Sequence, residues 1–360
     1  MNLIDRYILK QFVNTLIFAI VALCAIFLVV DLIENLDDFI DQNAKFPIIL
    51  KYYLNYFPEI LKLLTPVASL LATLFTIGKL SNQNEVTAMK TGGMSLYRLM
   101  FPLAAFSLAL SFFQLYFNGW IVPASNRRKV EIEQVYLNKN TAGSQIYNLY
   151  FRESPTRNLI MQYYDENSKT AHRVIIEDFS GENSPRLTRR IEADRMRWDS
   201  AANKWSLYNG IDRSFSGLKI SASRFDSTKF SLAISHNEIK RLRLTTGEMN
   251  LTELKEYIDQ TGRGGKDVSR QMIDYYGQWA FPFANFIVVL FGVPFASVKK
   301  KGGIAIQIGA AMVIAFTYLI FTKFSQTLAY SLGLDPILAG WSANIIFAIF
   351  GLIVLLRTKT

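Results

Sequence analysis

The sequence predicts a polytopic α-helical membrane protein: six transmembrane helices with a β-sandwich or jelly-roll domain inserted between the third and fourth. Three observations predict it. Of the 360 residues 51% are hydrophobic, and these are gathered into blocks of membrane length rather than spread evenly. Residues 127–270 contain no such block, and much of that segment alternates apolar and polar residues with a period of two.

The apolar blocks come first. Stretches without a charged residue lie at 11–30, 63–78, 99–126, 275–298, 302–322 and 336–356, against the ~20 helical residues needed to cross the hydrocarbon core. The second is short and is expected to borrow residues from Glu59–Lys62, with Lys62 snorkelling toward the headgroups. The first is too long for the apolar part of a signal peptide, and acidic DLIENLDDFID follows it with no small-residue cleavage site, so it is read as a retained helix. The single cysteine, Cys24, sits inside it, which excludes an internal disulfide and a cysteine-based metal site.

Charge sets the orientation. Arg6, Lys10, Lys79, Lys90, Arg98, Lys299, Lys300, Lys301, Arg357 and Lys359 fall on one side of the predicted spans, with only Asp5 and Glu85 against them. Retention of basic residues makes that side cytoplasmic and carries both termini there. The domains are then 1–126, three helices with a cytoplasmic helix at 81–93; 127–248, the external β domain; 249–271, an elbow helix and linker; and 272–360, three further helices.

Within the external segment, QIYNLYF sets Tyr147, Leu149 and Phe151 on one face, and TKFSLAIS does so for Phe230, Leu232 and Ile234. NLIMQYY and HRVIIEDF read as further strands, and DRMRWDSAANKWSLYNG as a hairpin turning at DSAANK. Trp198 and Trp205 form either a cross-strand pair in the core or part of an apolar groove left open for a lipid. Residues 124–274 hold 25 basic and 20 acidic side chains, a balance too mild for nucleic-acid binding. NLTELKEYIDQ reads as a helix capped by Asn250 with Glu253 as its capping-box partner, leading into the fourth span.

No catalytic constellation is present. His172 and His236 stand alone without a second ligand at metal spacing. GRGGKD lacks the spacing and the Ser or Thr of a phosphate-binding loop, and no GxSxG elbow occurs. Asp31 ends the first uncharged run and Lys323 follows the fifth, at similar depth. Each either marks where its helix meets water, or the two pair across a closable seam with Glu34 on the same rim.

SNQNEVTAMKTGGMS, residues 81–95, is a polar island between two apolar runs. It reads as a short helix capped by Asn82, with Glu85 closing a capping box and Gly92 and Gly93 supplying a left-handed stop. Val86, Met89 and Gly93 share a face suited to docking in a partner's groove.

The order of IDRYILKQF, GKLSNQNEVTAMKTGGMS, the Trp198/Trp205 hairpin ending in NG, ELKEYI and WAFPF resembles the LptF/LptG family of lipopolysaccharide export permeases across the whole chain, and IDRYILK leans toward the LptG type. The resemblance implies a subunit of an ATP-driven exporter in the bacterial inner membrane. It would pair with a second permease, a cytoplasmic ATPase dimer of the LptB type holding ATP and magnesium, and a periplasmic jelly-roll protein of the LptC or LptA type. The chain itself would bind no cofactor. The first and fifth helices would border a cavity for lipopolysaccharide, and Glu85 would match the acid that contacts the ATPase. One departure stands out, because the outer end of the first helix is acidic where family members carry bases that meet phosphates. A divalent cation, bases from the partner, a different headgroup, or an ordinary solvated helix would each account for it. A scaffold or sensor with a partner-binding β domain fits composition and topology equally, but the polar island disfavours it. A lipid-modifying enzyme lacks any convergent acid, base or metal set.

Overall fold

The computed structural model describes residues 3–137, 145–166, 168–181, 186–200, 202–217, 219–232, 234–236, 239, 244–263, 267–297 and 303–357. The chain divides into two compact units. One is made of Met1–Leu137, Thr246–Leu251 and Ser269–Thr360, the other of Asn138–Thr245 and Thr252–Val268.

The first unit is helical. Helix α1 spans Leu3–Asp41 and α2 Phe46–Asn82. A tight turn joins them, in which Asn43 is left-handed (φ 51°) and the Ala44 amide donates to the Phe39 carbonyl. Pro47 sits in the first turn of α2, where its missing N–H costs nothing. The short helix α3 (Glu85–Thr91) precedes α4 (Leu96–Tyr116), which passes through a π-helical turn at Phe117–Ile121 into α5 (Val122–Tyr136). After the second unit, α7 (Ser269–Ala280) runs through a 3₁₀ turn at Phe281–Phe283 into α8 (Ala284–Ser297), and α9 (Gly303–Leu332) and α10 (Pro336–Arg357) complete the chain. Among the described residues six spans are long and apolar enough to cross a membrane, as the sequence predicts.

Two boundaries differ from that expectation. The second span is not short, because α2 continues sixteen residues beyond Lys62 to Phe46, so Lys62 lies inside a helix rather than at its end. The third continues to Tyr136, and the polar stretch NRRKVEIEQVY belongs to the helical unit rather than to the β domain.

Helix α2 and the span formed by α7 and α8 make the centre: 67% and 61% of their most apolar stretches are buried, against 17% for α1 and for the described part of α9. Leu70, Leu74, Ile77 and Leu80 of α2 pack with Phe12 of α1, Leu103 of α4 and Val289 and Val293 of α8. Gly292 is required at the α2–α8 approach, since a Cβ there would stand 2.9 Å from Thr73 Cγ2. Buried polar groups satisfy one another across this core. Ser69 Oγ donates to Asn285 Oδ1, the Asn285 amide donates to Gln114 Oε1, and Gln114 Nε2 donates to the Lys62 carbonyl at 3.0 Å. In contrast, Ile17, Phe18, Val21 and Val29 of α1 and Val313, Phe316 and Ile320 of α9 are exposed, an apolar surface suited to lipid rather than water.

The second unit contains β1 (Gln145–Ser154), β2 (Arg157–Asp165), β3 (Thr170–Ser180), β4 (Arg186–Asp199), β5 (Lys204–Ser216) and β6 (Lys219–Phe230), each antiparallel to its sequence neighbour in one six-stranded sheet. The connectivity is therefore an up-and-down meander with no Greek-key crossing among the described strands. The sheet nevertheless curls over its own inner face. Tyr164 on β2 and Trp205 on β5 are three strands apart, ~14 Å in a flat sheet, yet their ring centres are 6.3 Å apart. Arg157 of β2 likewise lies over the Phe230 ring of β6 at 5.3 Å. The enclosed face holds Leu159, Met161, Val174, Ile176, Met196 and Leu207.

Trp198 and Trp205 are register partners with rings 4.9 Å apart, so the cross-strand pairing is the one observed. Leu149 is buried and Phe151 packs beside it; the side chain of Tyr147 lies outside the described residues. Strand β6 ends at Phe230, and Leu232 and Ile234 reach the core from beyond the strand. The Arg157 and Arg189 guanidiniums bond Asp178 and Asp212, which hold both guanidinium pKa values above their ordinary level. His236 meets the Tyr164 hydroxyl, whose pKa burial pushes up, and His172 stacks on Tyr163 at 4.3 Å. Helix α6 (Leu251–Arg263) starts directly after Asn250 and buries Leu251, Leu254 and Ile258.

Candidate functional site

Two regions of the helical unit collect functional chemistry, one at each end of the bundle. At the end that carries the N-terminus, α2 stops at Asn82, and Gln83 and Asn84 turn the chain with Asn84 left-handed (φ 62°). Helix α3 therefore begins at Glu85. Asn82 is the last residue of α2 and not the cap of α3, and the capping box expected between Asn82 and Glu85 is absent because Asn84 occupies the cap position directly before Glu85. The expected stop is present. Gly93 is left-handed (φ 86°), its amide donates to the Lys90 carbonyl, and the Met94 amide donates to the Met89 carbonyl. That pair of bonds is a Schellman ending.

Of the face of α3 expected to dock on a partner, Val86 and Met89 are turned inward and only Gly93 is exposed. Val86 is 2% exposed and packs in the bundle core with Leu80, Leu96 and Leu99, and Met89 packs against the same cluster. Burial of Val86 fixes the helix to its own bundle, which leaves Thr87, Ala88, Thr91, Gly92 and Gly93 on the exposed side. Glu85 is half-buried and accepts from the Tyr7 hydroxyl at 3.4 Å. Ser95 caps α4 by accepting from the Arg98 amide, and Arg98 Nη2 donates to buried Asp5 Oδ2 at 2.8 Å. Helix α3 is thus tied to α1 through Glu85 and to the bundle through its own apolar residues, while α1 and α4 are joined beside it.

At the opposite end, Asp31 of α1 faces Tyr53 of α2, with Tyr52 and Tyr56 close by. Asp31 Oδ2 and the Tyr53 hydroxyl are buried and interact with each other. Glu34 is exposed on the same rim. Lys129 of α5 bonds Glu59 at 2.8 Å, approaches Glu133 at 3.7 Å and lies 4.5 Å over the Tyr56 ring; the Tyr52 hydroxyl donates to Glu133. Lys323 of α9 and Asp274 of α7 lie within electrostatic reach of Lys62.

Asp31 and Lys323 are not an ion pair within the chain; each belongs to a different cluster, and both parent helices pack on α2. Among the described residues no three acidic, His or Cys side chains converge. The sequence reading missed the tyrosine cluster and Lys129. The spacing of Tyr52 and Tyr56, four residues apart with acids in the adjoining segments, was the available signal. Asp5 and Arg98, separated by 93 residues, carried none.

Comparison with known proteins agrees with this architecture. The family model described as lipopolysaccharide export system permease LptF/LptG matches residues 6–357. The chain is 20% identical over 353 residues to the lipopolysaccharide export system permease protein LptF of Escherichia coli strain K12, covering 96% of this chain and 92% of the relative. It is 16% identical over 349 residues to the permease protein LptG of Haemophilus influenzae, covering 97% and 96%. With six membrane-length helices, an inserted six-stranded domain and a family match over nearly its entire length, the chain belongs to the LptF/LptG family of lipopolysaccharide export permeases.

Proposed function

We propose that the chain is one permease subunit of an ATP-driven exporter that takes lipopolysaccharide from the outer leaflet of the inner membrane and passes it to a periplasmic jelly-roll bridge. In this reading both termini and α3 are cytoplasmic and the β unit is periplasmic, the orientation favoured by the basic residues around α3 and the termini. The partners are a second LptF/LptG-type permease, an LptB-type ATPase dimer that hydrolyses ATP, and a bridge protein of the LptC or LptA type.

The observation that carries the proposal is the anchoring of α3. Its inner face is held by Val86 and Met89 and its first residue by Tyr7–Glu85, and Asp5–Arg98 joins the neighbouring α1 and α4. A push on the exposed side at Thr87, Ala88 and Thr91 is therefore delivered to α1 and α2 rather than absorbed locally. Those helices carry Asp31 and the tyrosine cluster at their other ends. Glu85, half-buried at the edge of α3, is positioned to contact the ATPase while it holds Tyr7. The exposed apolar faces of α1 and α9 would border the lipid entry with the second permease, and Asp31, Glu34 and Lys323 would meet headgroup charges or the partner's side chains at its rim.

Reconstitution in liposomes with a partner permease and ATPase tests this. ATP-dependent transfer of lipopolysaccharide to a soluble jelly-roll acceptor is expected. Assembly without such transfer would favour a scaffold.

A further inference from the structure

A groove at the N-terminal end of the bundle has chemistry that the reading above leaves unused, apart from Tyr7 at its edge. Tyr7, Lys10, Gln11 and Asn14 of α1 and Phe75 and Lys79 of α2 are among the residues that line an open cavity of ≈ 630 Å³, within the ~300–1,000 Å³ typical of small-ligand sites. The two helices are antiparallel and present their groups in matching layers. Asn14 lies one turn further along the bundle than Lys10, and Phe75 one turn further than Lys79, because residues four apart share a helix face.

The layers follow the chemistry of a lipid. Lys10 immediately precedes the uncharged run that begins at Gln11, and Lys79 lies in the last turn of α2. The groove thus passes from ammonium groups, through amides, to an aromatic ring inside a membrane-length span. Its charge is unbalanced as well. Neither lysine forms an ion pair among the described residues, while the nearby acids are engaged, Asp5 by Arg98 and Glu85 by the Tyr7 hydroxyl.

We propose that this groove binds an anionic glycerophospholipid, with its phosphate between Lys10 and Lys79, its glycerol backbone against Gln11 and Asn14, and an acyl chain over Phe75. The site is separate from any path for lipopolysaccharide at the other end of the bundle, and it stands whichever side of the membrane the termini occupy. An acidic protein segment would satisfy the lysines and the amides, but it would leave Phe75, inside a membrane-length span, without an apolar partner.

Native mass spectrometry of the full chain in detergent provides the test, with phosphatidylglycerol and phosphatidylcholine of identical acyl chains as probes. The wild type should retain phosphatidylglycerol preferentially. Each lysine near a lipid phosphate is worth roughly five-fold, so Lys10→Gln with Lys79→Gln should remove most of a preference of up to about 25-fold. Lys79→Arg should keep the preference, and Lys45→Gln with Lys51→Gln, at the opposite end, should not change it. Asn14→Leu fills the amide layer without altering charge and should lower phosphatidylglycerol retention at an unchanged melting temperature; this reads the site even where the double lysine variant fails to insert. Equal retention of the two lipids by the wild type would overturn the proposal. So would a preference that survives both Lys10→Gln/Lys79→Gln and Asn14→Leu. If partner-subunit association fell in the lysine variant while lipid preference stayed, the occupant would be an acidic protein segment and the lipid assignment would be wrong.

Discussion

Arg98 Nη2 lies 2.8 Å from Asp5 Oδ2, joining the first turn of α4 to the first turn of α1 across 93 residues of sequence. The Asp5 side chain is 7% exposed and the Arg98 side chain 42%. Loss of the arginine therefore strands a nearly buried carboxylate, whereas loss of the acid frees a cation that already reaches solvent.

Arg98→Gln should accordingly lower stability by about 1–3 kcal/mol, below the range for fully buried pairs because one partner is half-solvated. Adding Asp5→Asn removes the stranded charge and should recover most of that loss. Thermal unfolding in detergent measures both, and a double variant as unstable as Arg98→Gln alone would argue against the pair as the cause.

Val86 and its neighbours on α3 separate anchoring from docking. Val86→Ala deletes two buried methyl groups and should cost about 1–3 kcal/mol. Thr87→Arg and Thr91→Arg, on the exposed side, should leave melting unchanged while reducing co-purification of the ATPase and its stimulation by the permease pair. Glu85→Gln tests the charge alone: normal insertion with reduced coupling is expected, and full export activity would leave Glu85 only a structural task.

Exchanging Asp31 and Lys323 within one chain, as Asp31→Lys with Lys323→Asp, should not repair the defects of the single changes, because each side chain answers to its own neighbours. Export rates of the singles and the exchange decide this. Mutual rescue would mean that the two residues meet in another state of the transporter.

In the β unit Trp205 is fully buried and its Nε1 donates to the Ile234 carbonyl at 2.7 Å. Trp205→Ala should cost about 3–5 kcal/mol, and Trp205→Phe should cost less, mainly the hydrogen bond of about 1–2 kcal/mol. Gly210→Ala should also destabilise, since a Cβ there would stand 2.6 Å from the Glu192 carbonyl oxygen and collide with the Phe225 ring. Chemical denaturation followed by tryptophan fluorescence orders the three variants.

What could be read in the sequence follows from how far each interaction reaches along the chain. The six spans were legible because membrane solubility is written into every residue of an apolar run. The Trp198–Trp205 pairing was legible because its turn lies between the two residues. Helix α5 was not, since NRRKVEIEQVY is polar enough to read as soluble domain and its helicity depends on Pro123, Asn126 and Ile132 being buried by other parts of the chain. The start of α3 was misplaced at Asn82 because Asn84 is a residue of the same capping type, and only the left-handed backbone at Asn84 decides between them. The meander escaped because strand order is a property of pairing between segments, which alternation along one strand does not encode.

The π turn at Phe117–Ile121 has a consequence for phase. One residue more than an α-helix needs advances everything after it by about 100°. From that angle Asn126 donates to the Gly247 carbonyl and Arg127 to the Glu248 carbonyl, while Gly119 lets Leu251 lie against the backbone, where a Cβ would come within 2.7 Å of Leu251 Cδ1. A continuous α-helix of the same sequence less one residue would point both donors elsewhere. The returning chain at Thr246–Leu251 would then be held by Thr246 on Asp274 and Gln278, without its bonds to α5. A single surplus residue thus acts as an indexing tooth, dictating on which side of the stalk the polypeptide comes home.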